Sequence, residues 1–264
     1  MKPVTVIRGR SPVILGQPHS GVFIPHDIEM KLNDRGRARV DTDWHVDRLY
    51  DGLLDDATVV RAEFHRYVID ANRDPSGKSL YPGQNTTGLV PLVSFENTPI
   101  WNEAPPEHEI EMRRSLFHAP YHSALSEEIE RVKALHGVAV LYDCHSIRSE
   151  LPFLFDGRLP DLNVGDNNGA TCAAALTETI DMLCARQKRY SHVVNGRFRG
   201  GWTTRHYGEP DNNVHAVQME LAQQNYLKTE CAPFEYDETK ASHLRSFLQI
   251  ILQNIEQMAL HGLL

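Results

Sequence analysis

Two histidines in this chain follow apolar runs, at positions where the strands of an open α/β sheet bind ligands. His19 follows the run at residues 12–15, and His145 follows the run at residues 138–142. Short apolar runs bounded by turn residues are typical of buried strands, and ligands bind beyond the carboxyl ends of such strands. Two histidines and one carboxylate, with a fourth position open to water, are the protein ligands of a hydrolytic zinc centre. The alternative for His19 is a structural role in a turn that contains proline and glycine.

The acidic turn at residues 41–45 offers the carboxylate that such a metal site requires. Asp41 and Asp43 could each bind a metal, or either could cap the amphipathic helix that is predicted to follow. His45 is expected on the flank of that helix, which makes it a weaker ligand candidate. The residues alone leave the third ligand open among these three side chains.

Glu220 lies in the apolar run at residues 214–221. A glutamate among apolar neighbours is rarely buried unless it is paired or functional. Near a metal-activated water it could act as general base and then as general acid. The alternative is an edge-strand glutamate that faces solvent.

The two residues before His145 have different expected roles. Asp143 could accept the N–H of a ligating imidazole or bond to the backbone, whereas Cys144 is expected to pack on the opposite side of its strand.

Arginine side chains offer the charge that would bind an anionic ligand. Arg73 directly precedes a proline-containing turn, and its guanidinium could hold a carboxylate with two hydrogen bonds. The alternative for Arg73 is a surface ion pair with Asp70 or Asp74, which would contribute little. Arg205 lies in the glycine-bracketed, donor-rich loop at residues 200–208.

Strands and helices must position these side chains, and their patterns alternate along the chain. We expect strands at residues 12–15, 57–62, 67–69, 138–142, 192–194 and 214–221. We expect helices at residues 44–54, 107–135, 168–187 and 238–260. Pro120 should kink or split the second helix, and residues 74–106 should form an irregular loop over the site. The alternation predicts an α/β fold with three layers, α/β/α, around a mixed, largely parallel sheet, in one domain over residues 1–264.

Composition excludes several classes of protein. The chain has 27 Lys and Arg against 35 Asp and Glu, a net charge of −8, which argues against a nucleic-acid partner bound through phosphate contacts. No apolar run approaches the roughly 18–20 residues that cross a bilayer, and no secretion signal is recognisable. We therefore expect a soluble, cytoplasmic protein with no membrane partner. The four cysteines form no CxxC pair, and the GxSxG, GxxxxGK[ST] and GxGxxG motifs are absent.

Six motifs in a fixed order carry a resemblance to a known family. They are PHSG at 18–21, DTDWHVDRLYD at 41–51, VIDANRDPSG at 68–77, YDCHSIRS at 142–149, NGRFRGGWTTRHYG at 195–208 and VQMEL at 217–221. Together they resemble the N-formylglutamate amidohydrolase family over about residues 11–230. That family is similar to the zinc-dependent carboxypeptidases and aspartoacylase, which implies a zinc-exopeptidase-like α/β/α fold.

The resemblance implies His19, Asp43 and His145 as ligands of one Zn²⁺ per chain, and other divalent metals would fit the same donors. Carboxypeptidase-like sites take the second ligand three residues after the first histidine. Here that residue is Val22, which cannot ligate, so the carboxylate must come from elsewhere. Asp43 is our choice over Asp41.

The resemblance also implies that Asn72 and Arg73 hold a carboxylate of the substrate. Because the implied substrate has two carboxylates, a second cationic group is expected, with Arg205 and Arg148 as candidates. Two more arginines of the same glycine-rich segment, Arg197 and Arg199, could serve that loop or lie only on the surface.

The implied activity is hydrolysis of N-formyl-L-glutamate to L-glutamate and formate, the last step of one histidine-degradation route. Glu220 would be the general acid/base of this metal-dependent amidohydrolase. The nearest alternative is a related deacylase that acts on an N-acetyl or N-succinyl acidic amino acid. A more distant alternative is a metabolite-binding protein without catalysis. The sequence leaves the oligomeric state open.

Overall fold

The computed structural model describes residues 2–80 and 83–264. Strands and helices alternate along most of the described chain. The strands are β1 Val4–Ile7, β2 Val13–Gln17, β3 Thr58–Ala62, β4 Ala139–Ile147, β5 Leu162–Gly165, β6 His192–Val194 and β7 Val214–Ala222. The α-helices are α1 His26–Glu29, α2 Asp34–Arg37, α3 Val46–Tyr50, α4 Glu107–Arg113, α5 Ala119–His136, α6 Ala174–Arg186, α7 Trp202–Tyr207 and α8 Glu238–Leu260. Shorter elements are a π-helix at Arg114–His118 and 3₁₀ turns at Pro210–Asn212 and Gln223–Asn225.

The described strands form one mixed sheet of seven strands in the order β1-β3-β2-β4-β7-β5-β6. Strands β3, β2, β4 and β7 run parallel to one another, β1 is antiparallel to β3, and β5 is antiparallel to β7. The largely parallel, mixed α/β sheet predicted from the sequence is therefore confirmed. From β2 the chain goes to β3 on one side, and it later returns to β4 on the other. Such a reversal creates a crevice at the carboxyl ends of the two central strands.

Helices cover both faces of the sheet and give the three predicted layers. On one face α3, α6 and α8 pack against the even-numbered residues of β4, including Cys144, which is buried as expected. On the other face α5 packs against Ala139 and Leu141 of the same strand. Because side chains alternate along a strand, Asp143 and His145 belong to the α5 side of the sheet.

Several predicted elements differ in the structure. Residues 67–69 lie in a turn and the loop after it and form no strand, although their apolar side chains are buried. The helix predicted from residue 44 is only α3, and it begins after His45, which has a φ of 58°. The helix predicted from residue 168 is α6, which begins at Ala174, six positions later. The sequence pattern missed the short strands β1 and β5.

Other predictions are confirmed. Helix α8 spans the residues that its apolar spacing indicated. The predicted helix from residue 107 is interrupted by the π-helix just before Pro120. The described parts of the loop at residues 74–106 contain neither an α-helix nor a paired strand of the sheet. No helix of the described residues is both long and apolar enough to cross a membrane.

Candidate active site

Three buried side chains converge in the crevice between β2 and β4. His19 lies just beyond β2, Asp43 lies in the turn before α3, and His145 lies on β4. The two Nδ1 atoms are 3.2 Å apart, and Asp43 Oδ2 lies 3.3 Å from His145 Nδ1 and 3.8 Å from His19 Nδ1. In a tetrahedral zinc site with bonds of about 2.0–2.1 Å the ligand atoms are roughly 3.3–3.4 Å apart. Within the described residues this trio has the spacing of a metal site.

A second carboxylate holds the outer nitrogen of each histidine. His19 Nε2 lies 2.7 Å from Asp70 Oδ1, and His145 Nε2 lies 3.1 Å from Asp143 Oδ2. An ionised carboxylate only accepts hydrogen bonds, so an Nε2–H on each ring would face it. When both rings are neutral in that tautomer, the two Nδ1 lone pairs and the Asp43 oxygen face one another, an arrangement that suits a cation. Such outer carboxylates commonly orient histidine ligands.

The pKa values of the two histidines are shifted in opposite directions. Burial, followed by the charge of Arg66, lowers the pKa of His19. Burial opposes a charged His145 as well, but the charge and hydrogen bond of Asp143, with a further bond to Asp43, raise its pKa well above the usual range. The three acceptor atoms thus favour one positive charge among them. A proton on His145 supplies that charge, and a bound divalent cation would take the place of the proton.

The sequence analysis missed two members of this site, Arg66 and the supporting role of Asp70. Arg66 is 5% exposed, and its Nη2 donates to Asp43 Oδ1 at 2.5 Å while its guanidinium lies 4.9 Å from the ring centre of Phe95. Burial alone would raise the pKa of Asp43, but Arg66, His145 and His19 together outweigh it and lower that pKa. Burial would also raise the pKa of Asp70, but Arg73, His19 and Arg66 together hold it well below its usual range. The one signal in the sequence was that Asp70 directly follows a buried apolar run.

The other two candidates for the third ligand have different contacts. Asp41 Oδ2 accepts hydrogen bonds from the Tyr67 hydroxyl at 2.7 Å and the Phe95 backbone N–H at 2.8 Å. His45 Nε2 lies 2.9 Å from the carbonyl oxygen of Phe234. Neither Asp41 nor His45 belongs to the trio of converging ligand atoms found among the described residues. The geometry therefore favours Asp43.

A cleft opens above the histidines, with about 570 Å³ of empty space when the solvent at its mouth is included. Its lining residues in the described chain are His19, Arg66, Asn72, Arg73, Thr86, Thr87, Phe95, His145, Ser146, Ile147, Leu154, Arg197, Phe198, Gly201, Gln218 and Glu220. Thr86, Thr87 and Phe95 come from the irregular loop at residues 74–106, which therefore covers the site as predicted. The cleft combines a buried polar floor with cationic and aromatic walls.

Glu220 lies in the cleft beside the histidine cluster. In the parallel register of β4 and β7 it pairs with His145, so the two side chains project from the same face of the sheet. Burial, opposed by His145 and reinforced by Asp43, raises the pKa of Glu220 to about 8. Gln218 Nε2 donates to Glu220 Oε2 at 3.2 Å. Since β7 is an inner strand, the alternative of a solvent-facing edge glutamate is wrong.

Asn72 and Arg73 lie side by side at the cleft. The Asn72 Oδ1 atom accepts a hydrogen bond from the Thr203 N–H at 2.8 Å, and its Nδ2 lies 3.1 Å from His145 Nε2. Arg73 Nε donates to the carbonyl oxygen of Thr87 at 2.9 Å. Arg73 Nη1 lies 3.9 Å from Asp70 Oδ2, so the pairing with Asp70 that the sequence allowed is present. It is not a solvated surface pair, because the Arg73 side chain is only 19% exposed and that of Asp70 is fully buried.

The remaining predicted arginines lie elsewhere. Arg148 forms ion pairs with Asp41, at 3.0 Å, and with Glu96, and Arg205 Nε donates to the Gly200 carbonyl at 2.9 Å. Neither is among the described residues that line the cleft, whereas Arg197 is.

Comparisons with known proteins agree with the motifs. A sequence model of the N-formylglutamate amidohydrolase family matches residues 11–227. The chain is 44% identical to the N-formylglutamate deformylases of Pseudomonas aeruginosa and Pseudomonas putida, over 94% and 96% of its length and 94% and 95% of theirs. A solved N-formylglutamate amidohydrolase from Ralstonia eutropha JMP134 has a TM-score of 0.82 at 25% identity, covering 99% of this chain and 100% of that one. A solved protein from Agrobacterium tumefaciens shares the fold, with a TM-score of 0.73 at 20% identity over 100% of this chain and 96% of that one. The resemblance seen in the sequence is confirmed, and the chain belongs to the N-formylglutamate amidohydrolase family.

Proposed function

We propose that this protein is a metal-dependent amidohydrolase that converts N-formyl-L-glutamate and water to L-glutamate and formate. The observation that carries the proposal is the buried Glu220 beside three convergent metal-ligand atoms, in a cleft that also contains Arg73. Family membership and the names of the curated relatives support the same substrate. The reaction would complete a histidine-degradation route.

Zn²⁺ is the metal we propose, with one ion per chain held by His19, Asp43 and His145. Two imidazoles and a carboxylate are a common ligand set for catalytic zinc, and other divalent metals accept similar donors. When bound, the ion would polarise the formyl carbonyl and lower the pKa of water. Asp70 and Asp143 would keep both Nδ1 lone pairs directed at it.

Glu220 would move the proton. One of its carboxylate oxygens would take a proton from the attacking water as the new C–O bond forms at the formyl carbon. The same group would then donate that proton to the amide nitrogen as the C–N bond breaks. Gln218 holds Oε2, which leaves Oε1 for this role. Arg66, whose Nε has no hydrogen-bond partner in the described residues, would stabilise negative charge on the formyl oxygen.

Arginines of the cleft would bind the two carboxylates of the substrate. We propose that Arg73, with Asn72, holds one carboxylate and that Arg197 holds the other, because both arginines line the cleft. Arg148 and Arg205 would then act indirectly. Arg148 binds Asp41, which in turn holds the backbone of Phe95, and Arg205 binds the glycine loop that leads into α7.

We further propose that residues 1–264 form a single catalytic domain acting on a small-molecule substrate in the cytoplasm. In that compartment its free thiols would stay reduced. These thiols belong to Cys144, Cys172, Cys184 and Cys231.

Formate release by the purified protein tests the proposal. Activity on N-formyl-L-glutamate should disappear on chelation and return with Zn²⁺, while N-acetyl- and N-succinyl-L-glutamate stay intact. Glu220→Gln should retain the metal and lose turnover. Formate release that survives complete metal removal would overturn the metal role, and cleavage of only the bulkier acyl groups would establish the related deacylase instead. Metal binding without cleavage of any of the three compounds would favour a binding protein.

A further inference from the structure

The segment at residues 68–73, here called the substrate segment, carries Asp70, Asn72 and Arg73 but pairs with no strand of the described sheet. Its backbone must therefore find other partners, because buried carbonyl groups without a hydrogen bond are costly. Three of its carbonyl oxygens accept bonds from side chains of one long helical region, α4, the π-helix and α5.

The three donors are buried and spaced along that region. Arg113 Nη1 donates to the Val68 carbonyl at 3.1 Å. His122 Nε2 lies 2.8 Å from the Ala71 carbonyl, and His118 Nε2 lies 3.0 Å from the Arg73 carbonyl. The accepting carbonyls of Ala71 and Arg73 stand on either side of Asn72.

The π-helix places these donors on one face. A π-turn contains more residues than an α-turn, so Arg113 and His118 align across Arg114–His118 although they are five positions apart. The next α-helical turn then brings His122 into line, four positions after His118. Pro120 has no N–H with which to continue the α-helical pattern at this point.

Both histidines are neutral donors at neutral pH. Burial, assisted by His118, lowers the pKa of His122 to about 3, and burial also lowers the pKa of His118. Because the Ala71 carbonyl only accepts hydrogen bonds, the ring proton of His122 lies on Nε2. The Tyr207 hydroxyl lies 3.0 Å from His122 Nδ1 and donates to the His122 carbonyl oxygen at 3.1 Å. The Trp202 ring lies 4.6 Å from that of His122 and 5.6 Å from that of His118, so both rings have fixed orientations.

We propose that His118 and His122 are positioning residues for substrate binding, which fix the Asn72 amide and the Arg73 guanidinium by holding the carbonyl groups on either side of Asn72. The proposal rests on the proposed function, in which Asn72 and Arg73 bind a carboxylate. Neither histidine belongs to the metal-ligand trio, so their loss should weaken substrate binding without loss of metal.

Paired substitutions test this role. In His122→Gln the amide nitrogen can occupy the place of Nε2, whereas in His122→Asn it occupies the place of Nδ1 and cannot reach Ala71. We expect His122→Asn and His118→Leu each to raise KM for N-formyl-L-glutamate about tenfold, the effect of one lost buried hydrogen bond. We expect kcat to change less and metal content to stay at one equivalent, and His122→Gln to restore KM. His108→Leu, an exposed histidine of α4, is the matched control.

Hydrogen exchange provides a readout that does not depend on the substrate. Backbone amides of the substrate segment should exchange faster in His122→Asn and His118→Leu than in the wild type, while those of β4 and β7 stay protected. Wild-type KM and exchange in both variants would overturn the proposal, as would loss of metal in parallel with activity. If the wild type releases no formate, the proposed function fails, and the exchange measurement alone decides whether the histidines hold the segment.

Discussion

Asp70 fixes the orientation of His19 through its outer nitrogen, at a distance of 2.7 Å. Removing such a carboxylate typically lowers metal affinity 10- to 100-fold, because the histidine loses its tautomer and its position. We therefore expect Asp70→Ala to lower Zn²⁺ affinity by about that factor, measured by competition with a chromophoric chelator. The control is Asp74→Ala. The Asp74 carboxylate accepts a hydrogen bond from the Ser76 N–H, and its removal should leave Zn²⁺ affinity unchanged. Equal affinities in the two variants would show that Asp70 does not support the site.

Arg73 and Arg197 should dominate recognition of the two substrate carboxylates. A hydrogen bond to a charged group contributes enough that its loss costs about 10- to 100-fold in binding. Arg73→Ala and Arg197→Ala should therefore raise KM by roughly that factor at unchanged metal content. Steady-state kinetics would test this, with Arg199→Ala, an exposed residue of the same loop, as the control. A larger effect from Arg205→Ala than from Arg197→Ala would contradict our assignment of the second carboxylate.

The loop before α7 approaches Asn72 so closely that only glycine fits at position 201. A Cβ atom there would lie 2.3 Å from Asn72 Nδ2. We expect Gly201→Ala to displace the Asn72 amide, to cost about 1–3 kcal/mol of stability through overpacking, and to raise KM. Thermal unfolding and kinetics measure the two effects. Gly88→Ala is the control, because its nearest atom would be 3.9 Å away; a similar response in both variants would refute the close-contact explanation.

The parallel strands account for the part of the site that sequence patterns could predict. His145 and Glu220 stand near the ends of long apolar runs, and period-two alternation places each on a definite face. The apolar run at residues 67–69 predicted a strand that does not form, because burial alone produces an apolar pattern whether or not a strand pairs. Arg66 could not be predicted, since its partner Asp43 is distant in sequence and joins it only through the fold.

The buried Glu220 should make the stability of the whole metal-free protein depend on pH. Its pKa is about 8 in the folded protein, well above the ordinary value of about 4.3. Between these values the folded state keeps a proton that the unfolded chain has released, so the free energy of unfolding falls as pH rises. The slope is at most about 1.4 kcal/mol per pH unit.

Glu220→Gln removes this dependence, because glutamine does not ionise. We expect the Tm of the metal-free wild type to fall more steeply than that of Glu220→Gln between about pH 5 and 8, measured by thermal unfolding after chelation. All other ionisable groups are common to both proteins. Parallel Tm curves would mean that Glu220 is ionised in the folded state.

The substrate segment and the metal cluster depend on different parts of the molecule. His19 and His145 are held by strands β2 and β4, whereas Asn72 and Arg73 are held by the helical region at residues 107–136 and by the loop that supplies Thr87. Mutations in the helix and loop can therefore alter which acid is bound while the hydrolytic chemistry persists. In a laboratory evolution experiment selecting for a different N-acyl amino acid, we expect beneficial changes to accumulate outside the sheet. In this fold, substrate preference can thus change among related proteins while the proposed metal ligands stay the same.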